Sequence, residues 1–265
     1  MGAARLVVGG AGLLAVLPLL GGRPRSALAL WRTRWGLLAG VTTALYQVCF
    51  FAGVSRAGVA LGTLVTIGSG PVFVGLLSWW LLREHPSRAW LTATGISVVG
   101  LALLTLDGLR DPSVDALGLL LALASGFGYA VYTVAAKRLM AQGHPSAEVM
   151  AGAFGLGGLL LVPVLLLQPV AWLATGSGLL MALWLGLGTT TAAYLLFGRG
   201  LRVLPAGPVA TLVLAEPVVA TLLGVLVLDE RLGLLGWAGC ALVIAGLALQ
   251  GASSSRERTV VDIEG

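Results

Sequence analysis

Charged residues are scarce in this chain of 265 residues: 10% are Asp, Glu, Lys or Arg, whereas 58% are hydrophobic. A water-soluble protein of this size needs about a quarter of its residues charged to cover its surface. The low charge therefore excludes a soluble globular fold and indicates that lipid surrounds most of the chain.

Lysine and cysteine are almost absent, and their scarcity excludes several kinds of site. The one lysine, Lys137, does not belong to a GxxxxGK[ST] loop, so the sequence has no P-loop for ATP. The two cysteines, Cys49 and Cys240, lie in separate apolar runs and form neither a CxxC nor a zinc spacing. We expect no cofactor and no metal site, and we do not expect an enzyme, because no nucleophile constellation is present.

The net charge of +5 does not indicate a nucleic-acid partner. The basic residues occur singly or in small groups between long apolar runs, without a solvated basic domain that could hold a phosphate backbone. Their placement instead predicts membrane orientation, as described below.

Nine largely uncharged stretches approach the roughly 20 residues that a helix needs to cross a bilayer. Leu, Val, Ala and Gly fill them without the alternation of a barrel strand, so we predict an all-α bundle in the membrane. Arg5 interrupts the first stretch, and a signal peptide ending near Ala29 is the alternative there. The stretches are about 3–21, 36–54, 59–82, 89–106, 116–136, 149–170, 178–198, 206–228 and 233–250.

The connections between these stretches differ in charge. Alternate connections and the C-terminal tail carry twelve basic residues, whereas the others carry only Arg56, Arg110 and Arg231, beside several aspartates. Short cytoplasmic loops collect Arg and Lys, so we expect the basic side and the C-terminus in the cytoplasm. The excess of Arg over Lys, with abundant Gly and Ala, favours a bacterial inner membrane.

An internal repeat divides the chain. The segment from Pro71 to Glu84 reappears as the segment from Pro217 to Glu230, and both pairs are separated by the same offset (217 − 71 = 146; 230 − 84 = 146). The second unit contains five spans, and an odd number of spans gives two copies of opposite topology, as in many secondary transporters. The first unit has only four spans, so either nine spans are native or the sequence begins about one helix late.

These residues resemble the drug/metabolite transporter superfamily, specifically EamA-type permeases. The features that carry the resemblance are Pro71 with Arg83-Glu84, Glu216-Pro217 with Asp229-Glu230, and Ala3-Ala4-Arg5-Leu6 at the start. The resemblance implies two inverted repeats of a five-helix unit, the first incomplete. We place the repeats at 1–106 and 115–250, followed by a disordered cytoplasmic tail at 251–265.

Glu216 is the acidic side chain that lies well inside a predicted span. Ionisable groups at such depth are unfavourable and commonly face a cavity or an ion path. A buried carboxyl is also pushed toward its protonated form, which suits a proton site. The alternative is a neutral Glu that hydrogen-bonds another helix.

Pro71 and Pro217 each remove a backbone hydrogen bond in corresponding helices. Matched breaks in two halves indicate a substrate site near the middle of the membrane, although a packing kink is the alternative. Thr63 and Thr66, with Gly70, form one small polar face that either lines a pathway or permits close helix packing.

The remaining polar candidates are deep tyrosine, glutamine and threonine side chains, for each of which a packing role is the alternative. In EamA-type permeases the helices that precede the Pro-containing helices surround the central cavity. The resemblance therefore implies pathway residues among Tyr46, Gln47, Thr63, Thr66, Tyr129, Tyr194 and Glu216.

The sequence thus predicts a secondary transporter of small organic metabolites or amphiphilic compounds that works by alternating access, with proton coupling as a hypothesis. The alternative is a membrane protein that has lost transport and serves a structural or partner-binding role. The expected partners are a small-molecule substrate and the lipid bilayer, and a homodimer is one of the open oligomeric states.

Overall fold

The computed structural model describes residues 2–105, 115–227 and 232–264, with side chains as far as Ser253. Every regular element in these ranges is helical. Within the same ranges, nine helical segments are long and apolar enough to cross a membrane, which confirms the predicted all-α membrane fold. They are Gly2–Leu20, Arg34–Ala57, Val59–Leu82, Arg88–Thr105, Ala116–Ala141, Ser146–Leu166, Gly176–Val203, Ala206–Val227 and Leu234–Ser253.

The helices form because a hydrocarbon environment offers no water to the backbone, so each N–H and C=O must pair within its own segment. Several segments consist of more than one helix. The α-helices are α1 (Gly2–Val16), α2 (Pro24–Ala29), α3 (Arg34–Ala57), α4 (Val59–Leu77), α5 (Arg88–Thr105), α6 (Ala116–Ala141), α7 (Ser146–Leu166), α8 (Gly176–Leu183), α9 (Ala193–Val203), α10 (Ala206–Leu212), α11 (Ala215–Val227) and α12 (Leu234–Glu264).

Two π-helical segments interrupt the regular pattern. Ser78–Leu82 follows α4, and Trp184–Ala192 joins α8 to α9 within one span. In the second segment the Thr191 hydroxyl donates to the Gly186 carbonyl, five residues earlier, at 3.2 Å. Wide turns of this kind occur mostly as single interruptions of α-helices and frequently at functional sites.

The chain divides into two compact units. Unit 1 comprises Met1–Phe51 and Gly128–Val203. In it α1 packs closely against α7, and a Cβ added to Gly158 would lie 2.9 Å from the Leu6 carbonyl oxygen. Small residues allow helix backbones to approach this closely in lipid, where van der Waals packing replaces the hydrophobic effect.

Unit 2 comprises Ala52–Phe127 and Leu204–Gly265. Its closest helix pair is α5 with α12, where a Cβ on Gly100 would lie 2.7 Å from the Gly239 carbonyl oxygen. A cluster of buried apolar side chains connects this pair with the break between α10 and α11. The cluster consists of Leu101, Leu214, Val218, Cys240 and Val243.

Each compact unit contains spans from both sequence repeats, so the units differ from the repeats. The repeat boundaries at 1–106 and 115–250 stay a prediction. The disorder expected of the C-terminal tail also stays a prediction, and α12 continues past the last span to Glu264. No Gly or Pro occurs between residues 252 and 264, and good helix formers such as Ala252, Arg256 and Glu257 allow the helix to extend.

Candidate functional site

Unit 1 gathers all four tyrosines of the chain. The ring of Tyr132, on α6, lies with its centroid 5.8 Å from that of Tyr46 on α3 and 5.4 Å from that of Tyr129. The ring of Tyr194, on α9, lies 6.5 Å from Tyr132. With two phenylalanines these residues form what we call the tyrosine cluster: Tyr46, Tyr129, Tyr132, Phe154, Tyr194 and Phe197.

Helix geometry explains how distant sequence segments supply this cluster. Tyr129 and Tyr132 are three residues apart and therefore share one face of α6. Phe154 from α7 stacks in a tilted arrangement on Tyr194, with centroids 3.9 Å apart, and the Tyr46 and Tyr194 hydroxyls are 3.4 Å apart. Each tyrosine combines an apolar ring with a polar hydroxyl.

A second polar contact in unit 1 joins α1 to α3. The Arg5 Nη2 donates to the Gln47 Oε1 at 3.0 Å. Arg5 is half-buried, whereas Gln47 is only 1% exposed. Two donors of this pair, the Arg5 Nε and the Gln47 Nε2, are buried and bond no acceptor in the parts of the chain that the structure describes.

The predicted pathway residues divide between the two units. Tyr46, Gln47, Tyr129 and Tyr194 belong to unit 1, and the structure brings the three tyrosines together. Their role toward a substrate stays a prediction. Sequence reasoning did not select Arg5 as a site residue; it treated Arg5 as an interruption of the first span and as part of the resemblance at Ala3–Leu6. The cost of placing an arginine in a membrane segment is the signal that could have identified it.

Thr63, Thr66 and Pro71 lie on α4, in unit 2. Thr63 is half-buried, and the buried Thr66 hydroxyl donates to the Ala122 carbonyl on α6 at 3.1 Å. This bond gives Thr66 a helix-packing role. Pro71 is buried inside α4, which stays continuous to Leu77, because a single proline removes only one backbone hydrogen bond of the helix.

Glu216 and Pro217 occupy the first turn of α11, directly after a turn at residues 213 and 214 that interrupts the α-helical hydrogen-bond pattern. The predicted matched breaks are therefore unequal: the helix is interrupted beside Pro217 and uninterrupted at Pro71. Glu216 is exposed on the surface of the protein rather than buried among its helices, as the sequence had suggested. It lies at the α11 N-terminus, where the helix dipole carries a partial positive charge.

Two other glutamates have structural partners. The Glu84 Oε2 accepts the backbone N–H of Ala206, at the start of α10, at 2.9 Å. The Glu148 Oε1, on α7, accepts a hydrogen bond from the backbone N–H of Arg23 at 2.9 Å. Arg83, at a φ of 58°, ends the π-helical segment in the left-handed region immediately before Glu84. The expected counterparts Asp229 and Glu230 lie outside the described residues.

An apolar groove of about 430 Å³ lies in unit 2, between the end of α4 and α5. Trp79, Trp90 and Thr94 are among its lining residues. Of these, the Thr94 hydroxyl is already hydrogen-bonded to the Thr211 hydroxyl at 2.8 Å. The groove therefore offers mainly apolar surface.

Comparison with known proteins places the chain among transporters. Residues 1–106 and 116–251 match the EamA-like transporter family. The uncharacterized transporter YwfM of Bacillus subtilis is 37% identical, and the alignment covers 97% of this chain and 86% of YwfM. The threonine/homoserine exporter RhtA of Escherichia coli is 29% identical over 85% of this chain and 81% of its own length.

The fold is also similar to that of a solved protein. One crystal structure superposes with a TM-score of 0.77 at 24% identity, covering 94% of this chain and 86% of the other. At this identity the likeness extends to the fold alone.

Proposed function

The chain belongs to the EamA-like transporter family, and from that premise we propose that it is a secondary transporter of small organic metabolites or amphiphilic compounds. Alternating access between two inverted repeats carries the substrate across the membrane. The inverted repeat is the architecture that the EamA resemblance implies.

The tyrosine cluster is the observation that carries this proposal. Four tyrosine rings meet within one unit of a membrane protein, although lipid-facing packing does not require hydroxyl groups. Polar side chains inside membrane segments commonly mark a substrate path. Rings and hydroxyls together bind a molecule that has both apolar and polar parts.

A transport screen with matched variants tests the proposal. The full chain is reconstituted in liposomes and offered a panel of radiolabelled metabolites, including threonine and homoserine because of the name of RhtA. We expect the wild type to transport at least one compound. Tyr46→Phe and Tyr194→Phe should raise its KM roughly threefold to tenfold, since each removes one neutral hydrogen bond worth about 0.5–1.5 kcal/mol.

Thr42→Val is the matched control, because it also removes a hydroxyl from α3. The Thr42 hydroxyl donates to the Leu38 carbonyl of its own helix at 2.7 Å. Its loss should leave transport unchanged. No transport of any compound by a folded wild type would favour the structural or partner-binding alternative. Equal effects of all three variants on KM would mean that the tyrosine cluster is not part of the substrate site.

Proton coupling is the finer part of the proposal, and Glu216 is its candidate residue. Although exposed in this conformation, Glu216 is the carboxylate beside the interrupted helix, where the chain can change shape. Glu216→Gln keeps the shape but cannot titrate. We expect it to abolish transport driven by a pH gradient while substrate exchange continues. A wild-type rate with unchanged pH dependence would exclude this coupling role.

We also place the protein in a bacterial inner membrane with the C-terminus in the cytoplasm. The twelve basic residues on one side of the predicted spans support this orientation. Ser26→Cys, on α2, in a chain without Cys49 and Cys240, should react with a membrane-impermeant thiol reagent only after the cells are opened. Labelling in intact cells would reverse the topology.

A further inference from the structure

We propose that Arg5 and Gln47 form a binding site for the carboxylate group of the transported substrate, which makes small organic acids, including zwitterionic ones, the preferred substrate class. The inference rests on the proposed transport function, because the donors are closed from solvent in this conformation and an anion enters only when the helices move.

The geometry of the pair leaves it short of acceptors. Arg5 donates one guanidinium N–H to the Gln47 Oε1, at 3.0 Å. Its Nε–H and the Gln47 amide N–H groups remain buried and unpaired in the described part of the chain. An unpaired buried donor is unfavourable, and both groups can only donate, so the group that completes the site must be an acceptor.

The charge of the pair is also unbalanced. Among the side chains described, up to Ser253 and apart from residues 106–114 and 228–231, the ion pair present is Arg56 with Asp115, and Arg5 forms none. A guanidinium inside a membrane segment needs a negative partner more than one in water does. An acceptor that is also an anion satisfies both requirements.

A carboxylate fits this site better than a single-atom anion. The guanidinium presents its N–H groups in a planar fork, and a carboxylate accepts two of them with parallel hydrogen bonds. The Gln47 amide adds a further donor from the neighbouring helix.

The segment around Arg5 also contacts the π-helical interruption of a neighbouring span. Gly9 lies four residues after Arg5, on the same face of α1. Its carbonyl accepts the Thr191 hydroxyl at 3.0 Å, and Thr191 belongs to the π-helical segment Trp184–Ala192. A shift of this segment therefore acts on α1 one turn from the proposed site.

Equilibrium binding by calorimetry tests the inference without requiring transport. The full chain in phosphatidylcholine nanodiscs is titrated with acetate, butanoate, hexanoate, 3-phenylpropanoate, threonine and homoserine. Each is paired with its primary amide, and chloride and phosphate are titrated separately. We expect at least one carboxylate to bind roughly 10- to 100-fold more tightly than its amide, as the loss of a charged hydrogen bond implies.

Two substitutions identify the residues. Arg5→Gln should abolish the preference for carboxylates, and Arg199→Gln, which removes an exposed arginine of α9 in the same unit, should keep it. Gln47→Glu is the sharper variant, because it supplies Arg5 with an internal carboxylate. We expect Gln47→Glu to unfold at a temperature equal to or above that of the wild type, yet to lose carboxylate binding.

The outcomes separate this site from its alternatives. Equal affinities for carboxylates and amides, or wild-type binding by Gln47→Glu, would overturn the site. Binding of chloride or phosphate alone would assign Arg5 to an inorganic anion. An Arg5-dependent stabilisation that appears only with phosphatidylglycerol, and never with a carboxylate, would assign it to a lipid headgroup. Both results would also overturn the carboxylate proposal.

The same variants distinguish this inference from the proposed function. Arg5-dependent carboxylate binding without transport in liposomes would keep the site and refute the transporter. Transport of a carboxylate at the wild-type rate by Arg5→Gln would keep the transporter and refute the site.

Discussion

In unit 1 polar side chains from different helices meet one another, as in the Arg5–Gln47 hydrogen bond and the contact between the Tyr46 and Tyr194 hydroxyls. Unit 2 also contains such side-chain contacts, between the Thr94 and Thr211 hydroxyls and between Arg56 and Asp115, but these groups are paired with each other. In unit 1 the Arg5 Nε and the Gln47 Nε2 bond no acceptor in the described part of the chain. This difference supports the proposal that recognition lies in unit 1.

Helix backbones approach each other closely in both units, where α5 meets α12 and where α1 meets α7. Such contacts make the packing sensitive to added volume. We therefore expect substitutions at these contacts to change mainly stability, whereas those in the tyrosine cluster should change mainly transport. The exposed Glu216 is an exception to this expectation, because it belongs to unit 2 and is nevertheless the proposed residue for proton coupling.

The largest effect on stability is expected from Gly100→Ala. Its new Cβ would lie 2.7 Å from both the Gly239 carbonyl oxygen and the Val243 nitrogen, and these backbone atoms must move. We expect thermal unfolding in detergent to show a loss of about 1–3 kcal/mol. Gly95→Ala is the control on the same helix, because nothing lies within 4 Å of its Cβ. Equal stability of both variants would mean that the α5–α12 contact is loose.

A smaller and shared effect is expected from the two structural glutamates. Glu84→Ala removes the acceptor of the Ala206 N–H, and Glu148→Ala removes the acceptor of the Arg23 N–H. Each should destabilise its unit by about 1–2 kcal/mol, as the loss of a helix cap or a charged hydrogen bond does. The Gln variants keep an acceptor and should lose less. Transport kinetics altered at unchanged stability would contradict the structural role.

The smallest effect is expected at the exposed ion pair of unit 2. The hydrogen bond from the Arg56 guanidinium, at 3.1 Å, lowers the pKa of Asp115 from its usual value. A carboxyl with a lowered folded-state pKa contributes stability above its unfolded pKa and loses it as the pH falls through the folded pKa. The stability difference between wild type and Asp115→Asn should therefore be small at pH 7.

Acid and salt provide the checks on this pair. The difference should vanish as the pH falls below the lowered pKa, and it should shrink in 1 M salt, which screens exposed charges. A difference that persists in acid would mean that Asp115 acts through the hydrogen bond that its Oδ1 accepts from the Leu117 backbone N–H of α6, at 2.9 Å, rather than through Arg56.

Local features of the sequence were sufficient to locate the spans. Hydropathy over about 20 residues is a local property, and a helix is the form in which a single segment satisfies its own backbone in lipid. The prediction of nine spans is therefore confirmed in the described ranges. Tyr46 and Tyr194 were selected only by resemblance, and nothing in their sequence neighbourhoods indicates that their hydroxyls meet.

The environment of each candidate side chain required the tertiary structure. Glu216 lies deep in an apolar run of the sequence, yet its side chain is exposed, because depth along a helix does not determine which face a residue occupies. Pro71 and Pro217 look equivalent in the repeat, but only the second lies beside an interrupted helix. Surrounding packing determines whether a proline interrupts a membrane helix.

The sequence by itself determined that lipid surrounds most of the chain, that the fold is helical, how many spans it has and which transporter family it resembles. Composition and the length of each hydrophobic run are enough for this, because only helices and closed barrels can span a lipid bilayer. The tertiary structure decided which polar groups meet. Arg5 and Gln47 are 42 residues apart, and Tyr46 and Tyr194 are 148 apart. Such contacts depend on how helices pack through small residues such as Gly9, Gly10 and Gly158, and no local pattern encodes that packing.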